Sequence, residues 1–254
     1  MRSKDWDRIS EDYYKEIMSP LKDSEHNPLF AELKKIPDKF ETVIDLGCGL
    51  GELTPILAKK FKKVVGIDFS KKMVGYARKK NKKYANASFF HADMRNLKKF
   101  HNSFDLAIAV NSILLPSSKD VNKTLKEIYK VLKPGGKFIA IVPAMEPYLY
   151  QSLLIIDKEI KKGKNQARAR EKARKFIKKQ EHDFLSGTIT FEGDSQKCFY
   201  RFEIPYRFKD AGFAKLKLEK VLYSWEASAE AGQAYIPNAE PLWDWYVSCE
   251  KSGR

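Results

Sequence analysis

Val43-Ile44-Asp45-Leu46-Gly47-Cys48-Gly49-Leu50-Gly51 is the stretch that decides the fold of this chain. An apolar pair leads into an acid, and glycines then stand at three alternate positions before a helical pattern that begins near Glu52. The segment predicts a strand, a tight backbone turn and a helix N-terminus. This arrangement is typical of a nucleotide-cofactor site.

The spacing of the glycines indicates which kind of cofactor fits. A dinucleotide fingerprint has the form Gly-x-Gly-x-x-Gly, so that a pyrophosphate can lie on the helix N-terminus. Gly47 and Gly49 match that pattern, but Glu52 occupies its third glycine position. Asp45 and Glu52 would both repel a phosphate. The turn therefore favours a cationic or zwitterionic ligand.

Outward from this turn, strand and helix patterns alternate, which predicts an α/β fold with a doubly wound parallel sheet. The predicted strands are Thr42–Leu46, Val64–Ile67, Ser88–His91, Leu106–Val110 and Lys137–Val142, and the predicted helices are Pro28–Lys35, Glu52–Phe61, Lys71–Lys80 and Val121–Leu132. Strands at Lys215–Tyr223 and Trp243–Cys249 complete an antiparallel edge, giving seven strands in all.

Three motifs in register resemble the class I S-adenosylmethionine-dependent methyltransferase superfamily. They are Asp45-Leu46-Gly47-Cys48-Gly49-Leu50-Gly51, Val64-Val65-Gly66-Ile67-Asp68 and Leu132-Lys133-Pro134-Gly135-Gly136-Lys137-Phe138. The resemblance covers roughly residues 41 to 143 and continues more weakly to Glu250. It implies a Rossmann-like methyltransferase fold, methyl-transfer activity and S-adenosyl-L-methionine as the cofactor.

The pattern changes after Pro143, where we predict an inserted helical and hairpin cap following the fifth strand. Eleven Lys or Arg occur between Lys158 and Lys179, with a break at Gly163 between two helices, and alternation around Gly193 predicts a hairpin of Thr188–Phe191 with Lys197–Glu203. The predicted domains are an N-terminal helical lid (1–40), a cofactor-binding core (41–145 and 205–254) and the inserted cap (146–204).

Several residues of the glycine turn are candidates for contact with the cofactor. Gly47, Gly49 and Gly51 allow close approach of the backbone, and the resemblance adds Cys48 between them. Asp45 either receives the ligand ammonium or caps backbone amides of the turn; its residue context alone leaves both open, and the resemblance favours ligand contact.

Further cofactor residues follow the next two strands. Asp68 ends an apolar strand seventeen residues after Gly51, near the spacing expected for an acid that binds ribose hydroxyls. Its alternative role is an N-cap, which Ser70 can also fill. The resemblance places Phe69 beside the adenine or ribose, Asp93 at the adenine amino group and the Met94 backbone amide on the ring.

The loop after the fourth predicted strand begins with Asn111. By resemblance this loop lies beside the reactive methyl, so Asn111 is a candidate for both cofactor and substrate contact. Ser112 and Ile113 stand where base-amino methyltransferases have two prolines, which counts against that activity.

Trp6, Ile9, Tyr13 and Ile17 form one face of a predicted amphipathic helix over residues 5–19. By resemblance Tyr13 and Tyr14 belong to a lid, although ordinary packing explains Tyr13 equally well.

Composition bounds the remaining possibilities. The three cysteines, Cys48, Cys198 and Cys249, are far apart, which argues against a disulfide framework, and His91 with Asp93 is too small a set for a metal site, so we predict no metal. No signal region or membrane-spanning stretch is evident, which predicts a cytoplasmic protein without a membrane partner. The formal charge of +15 fits a solvated lysine-rich surface or a nucleic-acid partner.

The sequence thus predicts S-adenosylmethionine-dependent methyl transfer to O or N of a small-molecule acceptor. The alternative is an RNA methyltransferase that binds phosphates through its basic insertion. The sequence identifies neither the acceptor nor a catalytic base.

Overall fold

A computed structural model of the chain describes residues 18–177, 181–191, 193–230, 233, 236 and 238–253. The predicted lid residues Tyr13 and Tyr14 lie outside these ranges, as does nearly all of the predicted N-terminal helix. The strands are β1 (Ser24–His26), β2 (Thr42–Leu46), β3 (Lys63–Asp68), β4 (Ala87–His91), β5 (Phe104–Val110), β6 (Leu132–Pro143), β7 (Glu181–Asp183), β8 (Thr188–Phe191), β9 (Asp194–Lys197), β10 (Phe213–Tyr223) and β11 (Trp243–Lys251).

The helices connect these strands in the alternating order that the sequence predicts. They are α1 (Pro28–Lys35), α2 (Thr54–Lys60), α3 (Lys71–Lys80), α4 (Ser118–Val131), α5 (Glu146–Lys161), α6 (Gln166–Ile177), α7 (Glu203–Asp210) and α8 (Trp225–Glu230). Helix α2 begins two residues later than predicted because Thr54 N–H donates to the Gly51 carbonyl in a turn that precedes it.

The main sheet has the order β1-β10-β11-β6-β5-β2-β3-β4. Strands β2 to β6 pair in parallel, whereas β11, β10 and β1 add antiparallel strands on one side. Alternate residues of the central strands enter two large apolar clusters, one on each face of the sheet. The prediction of a doubly wound, mostly parallel α/β fold is confirmed.

The sheet contains eight strands, so the predicted count of seven is wrong. The additional strand, β1, pairs antiparallel with the end of β10, with Ser24 opposite Tyr223. It consists of Ser-Glu-His and carries no apolar alternation, which is why hydrophobic periodicity gives no sign of it.

The insertion after β6 has a helical part and a hairpin part. Helices α5 and α6 form a helical hairpin whose connection contains Gly163 with φ of +78°, at the predicted break. Strands β7, β8 and β9 form a separate three-stranded antiparallel sheet.

The predicted second strand of the hairpin, Lys197–Glu203, is wrong. Strand β8 pairs instead with Asp194–Lys197, because the connection at Gly193 is short and places Phe191 opposite Asp194. The chain after Lys197 turns into the protein, where Phe199 joins the core and its N–H donates to the Pro143 carbonyl at 2.6 Å. Glu203 begins helix α7.

A buried ion pair fixes the insertion to the core. Lys197 is 1% exposed, and its ammonium donates at 2.8 Å both to the Ser186 carbonyl and to Glu203 Oε2. The other carboxylate oxygen of Glu203 accepts from Arg207 Nε, and Arg207 Nη1 in turn donates to Asn122 of α4. Charge buried at this depth is tolerated only when it is paired.

Glu203→Gln tests this anchor. The substitution leaves the Lys197 ammonium buried without a full counter-charge, so we expect the free energy of unfolding to fall by about 3 kcal/mol. The matched control is Glu250→Gln, since Glu250 pairs with Lys215 on the surface and should change stability by no more than about 0.5 kcal/mol. Urea unfolding followed by circular dichroism measures the free energy of unfolding of both variants. Equal unfolding midpoints for the two variants would contradict a stabilising role of the buried ion pair.

Candidate functional site

The candidate site lies at the carboxyl edge of the parallel strands. The chain proceeds from β2 outward to β3 and β4, then returns to the other side of β2 through β5 and β6. The loops that follow β2 and β5 therefore diverge at a topological switch point, where open α/β sheets bind their ligands.

The glycine turn after β2 lies against the loop after β5. Gly47 has φ of +71°, and a Cβ on it would lie 2.3 Å from Cβ of Ser112. The Ser112 hydroxyl donates to the Leu46 carbonyl at 2.7 Å. Only glycine combines this left-handed backbone with so close a neighbour, so the glycine turn and the loop that begins at Asn111 are fixed relative to each other.

Backbone amides of the turn already have acceptors within the protein. The amides of Gly47 and Cys48 donate to the Ile67 carbonyl at 2.8 and 2.9 Å, and Gly49 N–H donates to Asp68 Oδ2 at 3.0 Å. Gly51 N–H donates to the Cys48 carbonyl. These amides are therefore not available as the anion-binding group that a diphosphate requires at such a turn.

Asp45 is a buried carboxylate, 5% exposed, to which none of the described residues donates a hydrogen bond. Burial, with the nearby charge of Asp68, raises the pKa of Asp45 to about 7. The alternative role considered from the sequence, capping of turn amides, is not seen here. An unpaired buried carboxylate is a suitable receptor for an ammonium group.

Asp68 lies at the end of β3 and is also buried. Its two oxygens accept from Gly49 N–H and, at 2.8 Å, from Ser70 N–H. Burial raises its pKa, and these hydrogen bonds oppose that shift. The N-cap of α3 is Ser70, whose hydroxyl accepts from Met73 N–H, so Asp68 keeps lone pairs for a ligand.

Asp93 follows β4 and forms an ion pair with its neighbour Arg95, at 2.7 Å from Nη2. Hydrogen bonds from Arg95 outweigh partial burial and lower the pKa of Asp93. Met94 packs against the main core cluster, and the Phe69 carbonyl lies 2.9 Å from Nε2 of His91. Residues 68, 69, 93 and 94 thus follow adjacent strands at one sheet edge.

Cys48 differs from its glycine neighbours in where its side chain lies. The thiol packs in a small apolar cluster with Val74, Ala77 and Phe89, and burial raises its pKa well above the ordinary value. Only the backbone of Cys48 is left for a ligand. All three cysteines are buried and free.

Sequence reasoning did not find the partners of Asn111. Its side-chain amide donates at 2.8 Å to Oδ2 of Asp244, which also accepts from the Tyr223 hydroxyl at 2.6 Å. Asn111 has φ of +43°, so this hydrogen bond holds a backbone conformation that asparagine tolerates better than most residues. Asp244 was detectable in principle, as an acid within the otherwise apolar start of the last strand.

Burial raises the pKa of Asp244, while the hydrogen bonds from Tyr223 and Asn111 oppose that shift.

No group of three or more potential metal ligands occurs among the residues whose placement is described. Within those same residues, no helix has both the length and the apolarity needed to cross a membrane.

Comparison with known proteins shows which proteins this chain is similar to. A family model described as "Methyltransferase domain" matches residues 43–136. A putative methyltransferase of Bacillus subtilis is 36% identical over 103 residues, covering 40% of this chain and 41% of that protein. A ubiquinone/menaquinone biosynthesis C-methyltransferase of Rickettsia typhi is 32% identical over 121 residues, covering 43% and 47%. The matched part thus spans less than half the length of these relatives.

Solved structures share the fold over most of the chain. A Pyrococcus horikoshii protein has a TM-score of 0.62 at 23% identity, with 88% of each chain covered. An S-adenosylmethionine-dependent methyltransferase of Methanosarcina mazei has a TM-score of 0.58 at 17% identity, covering 90% of this chain and 99% of that one. The methyltransferase-domain match and the shared fold make this chain similar to S-adenosylmethionine-dependent methyltransferases.

Asp45→Asn tests the electrostatics of the site through stability. A folded-state pKa of about 7, raised from 3.8, means that the stability this carboxyl contributes is complete below pH 4 and is lost as the pH rises through 7. We expect Asp45→Asn to be more stable than the wild type at pH 8 by up to about 4 kcal/mol and similar to it at pH 4.

Urea unfolding of both proteins from pH 4 to 8 measures this difference. The exposed Asp38→Asn serves as the control and should follow the wild-type profile. If the free energy of unfolding changed with pH in the same way for Asp45→Asn and the wild type, ionisation of Asp45 would not reduce the stability of the fold.

Proposed function

We propose that this protein transfers the methyl group of S-adenosylmethionine to a small-molecule acceptor. The observation that carries the proposal is the buried Asp45 carboxylate, which accepts no hydrogen bond from the part of the chain that the structure describes and lies beside a left-handed glycine turn at the switch point of the sheet. The ammonium of the cofactor would supply the missing positive charge. A diphosphate would meet two buried carboxylates and turn amides that already donate elsewhere.

The residues that would hold the cofactor have distinct roles. Asp45 would bind the ammonium, Asp68 would accept from the ribose hydroxyls, and Asp93 with the Met94 amide would face the adenine. When bound, the cofactor supplies a methyl on a sulfonium, which a nucleophile displaces in line with a neutral leaving group. Catalysis of such a step depends largely on holding the nucleophile against the methyl.

The acceptor side would be positioned by the loop that begins at Asn111. Its conformation is supported by Asp244 on β11 and by the contact of Ser112 with Gly47. We propose O or N of a small molecule as the attacked atom; Ser112 and Ile113, which replace the prolines of base-amino methyltransferases, count against a nucleic-acid base as the acceptor. Transfer to carbon is a second candidate, since several matched relatives are named as quinone C-methyltransferases. Those matches cover only 43% and 39% of this chain, and acceptor choice in such folds lies outside the strand-helix core.

Calorimetry of cofactor binding tests the role of Asp45. At pH 8 we expect S-adenosylmethionine to bind and NAD not to bind, and Asp45→Asn to weaken the affinity about 10- to 100-fold through loss of a charge-assisted hydrogen bond. Wild-type affinity should rise between pH 6 and 8 as the free carboxyl ionises, whereas the Asn variant should lack this rise.

Glu52→Gln is the matched control within the same turn. Oε1 of Glu52 lies 3.7 Å from Nζ of Lys80, and we expect this carboxylate not to contact the ligand. The affinity of Glu52→Gln for S-adenosylmethionine should therefore stay within about twofold of the wild type. Equal loss in both variants would contradict a specific role for Asp45, and binding of NAD would contradict the cofactor assignment.

A labelled-methyl assay tests the acceptor class. The wild type is incubated with methyl-labelled S-adenosylmethionine and, separately, fractionated metabolites, demethylated quinols or total RNA, with Asp68→Ala as the inactive control. We expect label in a small-molecule fraction. Labelled RNA, with binding that falls steeply with salt and is lost on charge reversal at Arg168, Arg170 and Arg174, would favour the alternative of an RNA methyltransferase.

A further inference from the structure

Helix α5 exposes aliphatic side chains and buries polar ones. Leu149, Leu153 and Ile160 are 43%, 55% and 42% exposed, whereas Ser152 and Glu159 are buried. A surface helix normally turns its aliphatic side chains toward the core. The outward face of α5 therefore offers apolar surface to a partner.

The exposed aliphatic residues form one stripe on this helix. Residues 149, 153 and 160 are separated by four and seven positions, which places them on the same helical face. The stripe is about 16 Å long, at 1.5 Å per residue. Pro147 and Gln151 precede Leu149 and Leu153 by more than half a helical turn, and both are buried. The stripe therefore points away from the protein.

Exposed apolar surface is concentrated in this part of the chain. Seven large hydrophobic side chains are strongly exposed among the described residues, and six of them belong to residues 149–206. Besides the stripe on α5, these are Leu185 in the connection between β7 and β8, Phe202 before α7 and Tyr206 within it. The seventh is Ile56 on α2. Single exposed hydrophobic residues are ordinary, but a concentration of them marks an interaction surface.

The hairpin of α5 and α6 is also strongly basic. Residues 146–177 contain nine Lys or Arg and four acids. Two of those acids, Glu146 and Glu159, already accept hydrogen bonds from other residues of the protein. Seven of the nine cations form no ion pair among the described residues, since Lys162 and Lys172 are the two that reach Glu159. The charge of the hairpin therefore favours an anionic partner.

Cations lie on both flanks of α6. This helix buries Ala169 and Ala173 and packs against α5. Arg168 precedes Ala169 by one position and Arg170 follows it, a rotation of about 100° in each direction. Arg174 follows Ala173 in the same way as Arg170 follows Ala169. One basic flank of α6 therefore shares the outward side of the hairpin with the stripe on α5.

An aliphatic stripe beside unpaired cations fits a lipid surface better than the other anionic partners. An anionic lipid layer takes up aliphatic side chains at its interface and attracts Lys and Arg to its headgroups. RNA offers phosphates but no apolar layer for leucine side chains. A second copy of the hairpin would bring two basic surfaces together. The sequence predicts no membrane partner because it contains no spanning stretch, but a helix that lies in the interface needs none.

We propose that the α5–α6 hairpin binds peripherally to an anionic lipid surface. Leu149, Leu153 and Ile160 would enter the interfacial layer, and the arginines of α6 would contact the headgroups. Helix α5 begins at Glu146, just after β6 ends at Pro143 at the carboxyl edge of the sheet. Binding through the hairpin would therefore bring the edge that carries the candidate site close to the lipid.

Sedimentation with vesicles tests the proposal in the absence of cofactor and acceptor, so the result does not depend on the proposed methyl transfer. We expect the full-length chain to bind phosphatidylcholine vesicles that contain phosphatidylglycerol at least about tenfold more strongly than pure phosphatidylcholine vesicles, and less strongly as salt is added. Leu153→Asp should weaken this binding at least about tenfold, because it places a charge within the stripe. Ile56→Asp is the matched control, since Ile56 is 43% exposed on α2, and it should leave binding unchanged.

Charge reversal tests the basic part of the surface. Changing Arg168, Arg170 and Arg174 together to Glu should weaken binding to the phosphatidylglycerol vesicles at least about tenfold. The control reverses the same number of charges at Lys71, Lys79 and Lys82, which are exposed on or beside α3. Because it changes only the long-range attraction, the control should weaken binding by no more than about threefold.

A fluorescent label reports which surface meets the lipid. The native thiols are all buried, so Leu153→Cys can be labelled selectively with a polarity-sensitive dye. We expect the emission to shift to shorter wavelength when phosphatidylglycerol vesicles are added. The same dye on Lys79→Cys should show no shift.

Circular dichroism and urea unfolding establish that each variant keeps the fold, and the labelled protein provides the test if Leu153→Asp does not. Four outcomes would overturn the proposal. They are equal vesicle binding by the wild type and Leu153→Asp, an unshifted label at residue 153 on bound vesicles, binding of RNA without binding of vesicles, and lipid-free oligomers that Leu153→Asp dissociates.

Discussion

The structure depends on placing two carboxylates, Asp45 and Asp68, out of water at the same backbone turn. Burial raises the pKa of both side chains, and each charge disfavours the other. The fold compensates Asp68 with amides from Gly49 and Ser70, whereas no described residue donates a hydrogen bond to Asp45. The burial of these two carboxylates determines the conformation of the glycine turn. The amides of the turn must point toward β3, and the exposed side of the turn must remain negatively charged.

The loop that begins at Asn111 contacts the same turn. Ser112 touches the place where Gly47 lacks a side chain, and Asn111 is held from the other side by Asp244. Asp244 belongs to an antiparallel strand that no cofactor motif includes. This part of the carboxyl edge of the sheet is therefore assembled from the parallel strands and from β11 together.

The sequence predicted the central sheet and its turn because both depend on local patterns. Three glycine- and acid-containing motifs in register located β2, β3 and β6 together with the residues at their ends. It did not predict features set by distant contacts. Strand β1 is three polar residues that pair only because β10 offers an open edge, and Lys197 is buried only because Glu203 and Ser186 receive its charge. The side-chain partner of Asn111, Asp244, lies more than a hundred residues away in sequence.

The antiparallel strands that close one side of the sheet have a consequence for dissection of the chain. The segment that matches the methyltransferase domain, 43–136, stops inside β6 and omits β11, β10 and β1. An excised fragment with those bounds lacks the apolar part of β6, so the hydrophobic strand β5 would present unpaired amides and carbonyls to solvent, where they act as a template for self-association. The flanking strands therefore protect the edge of the central sheet, and truncation of the chain to residues 43–136 would favour aggregation.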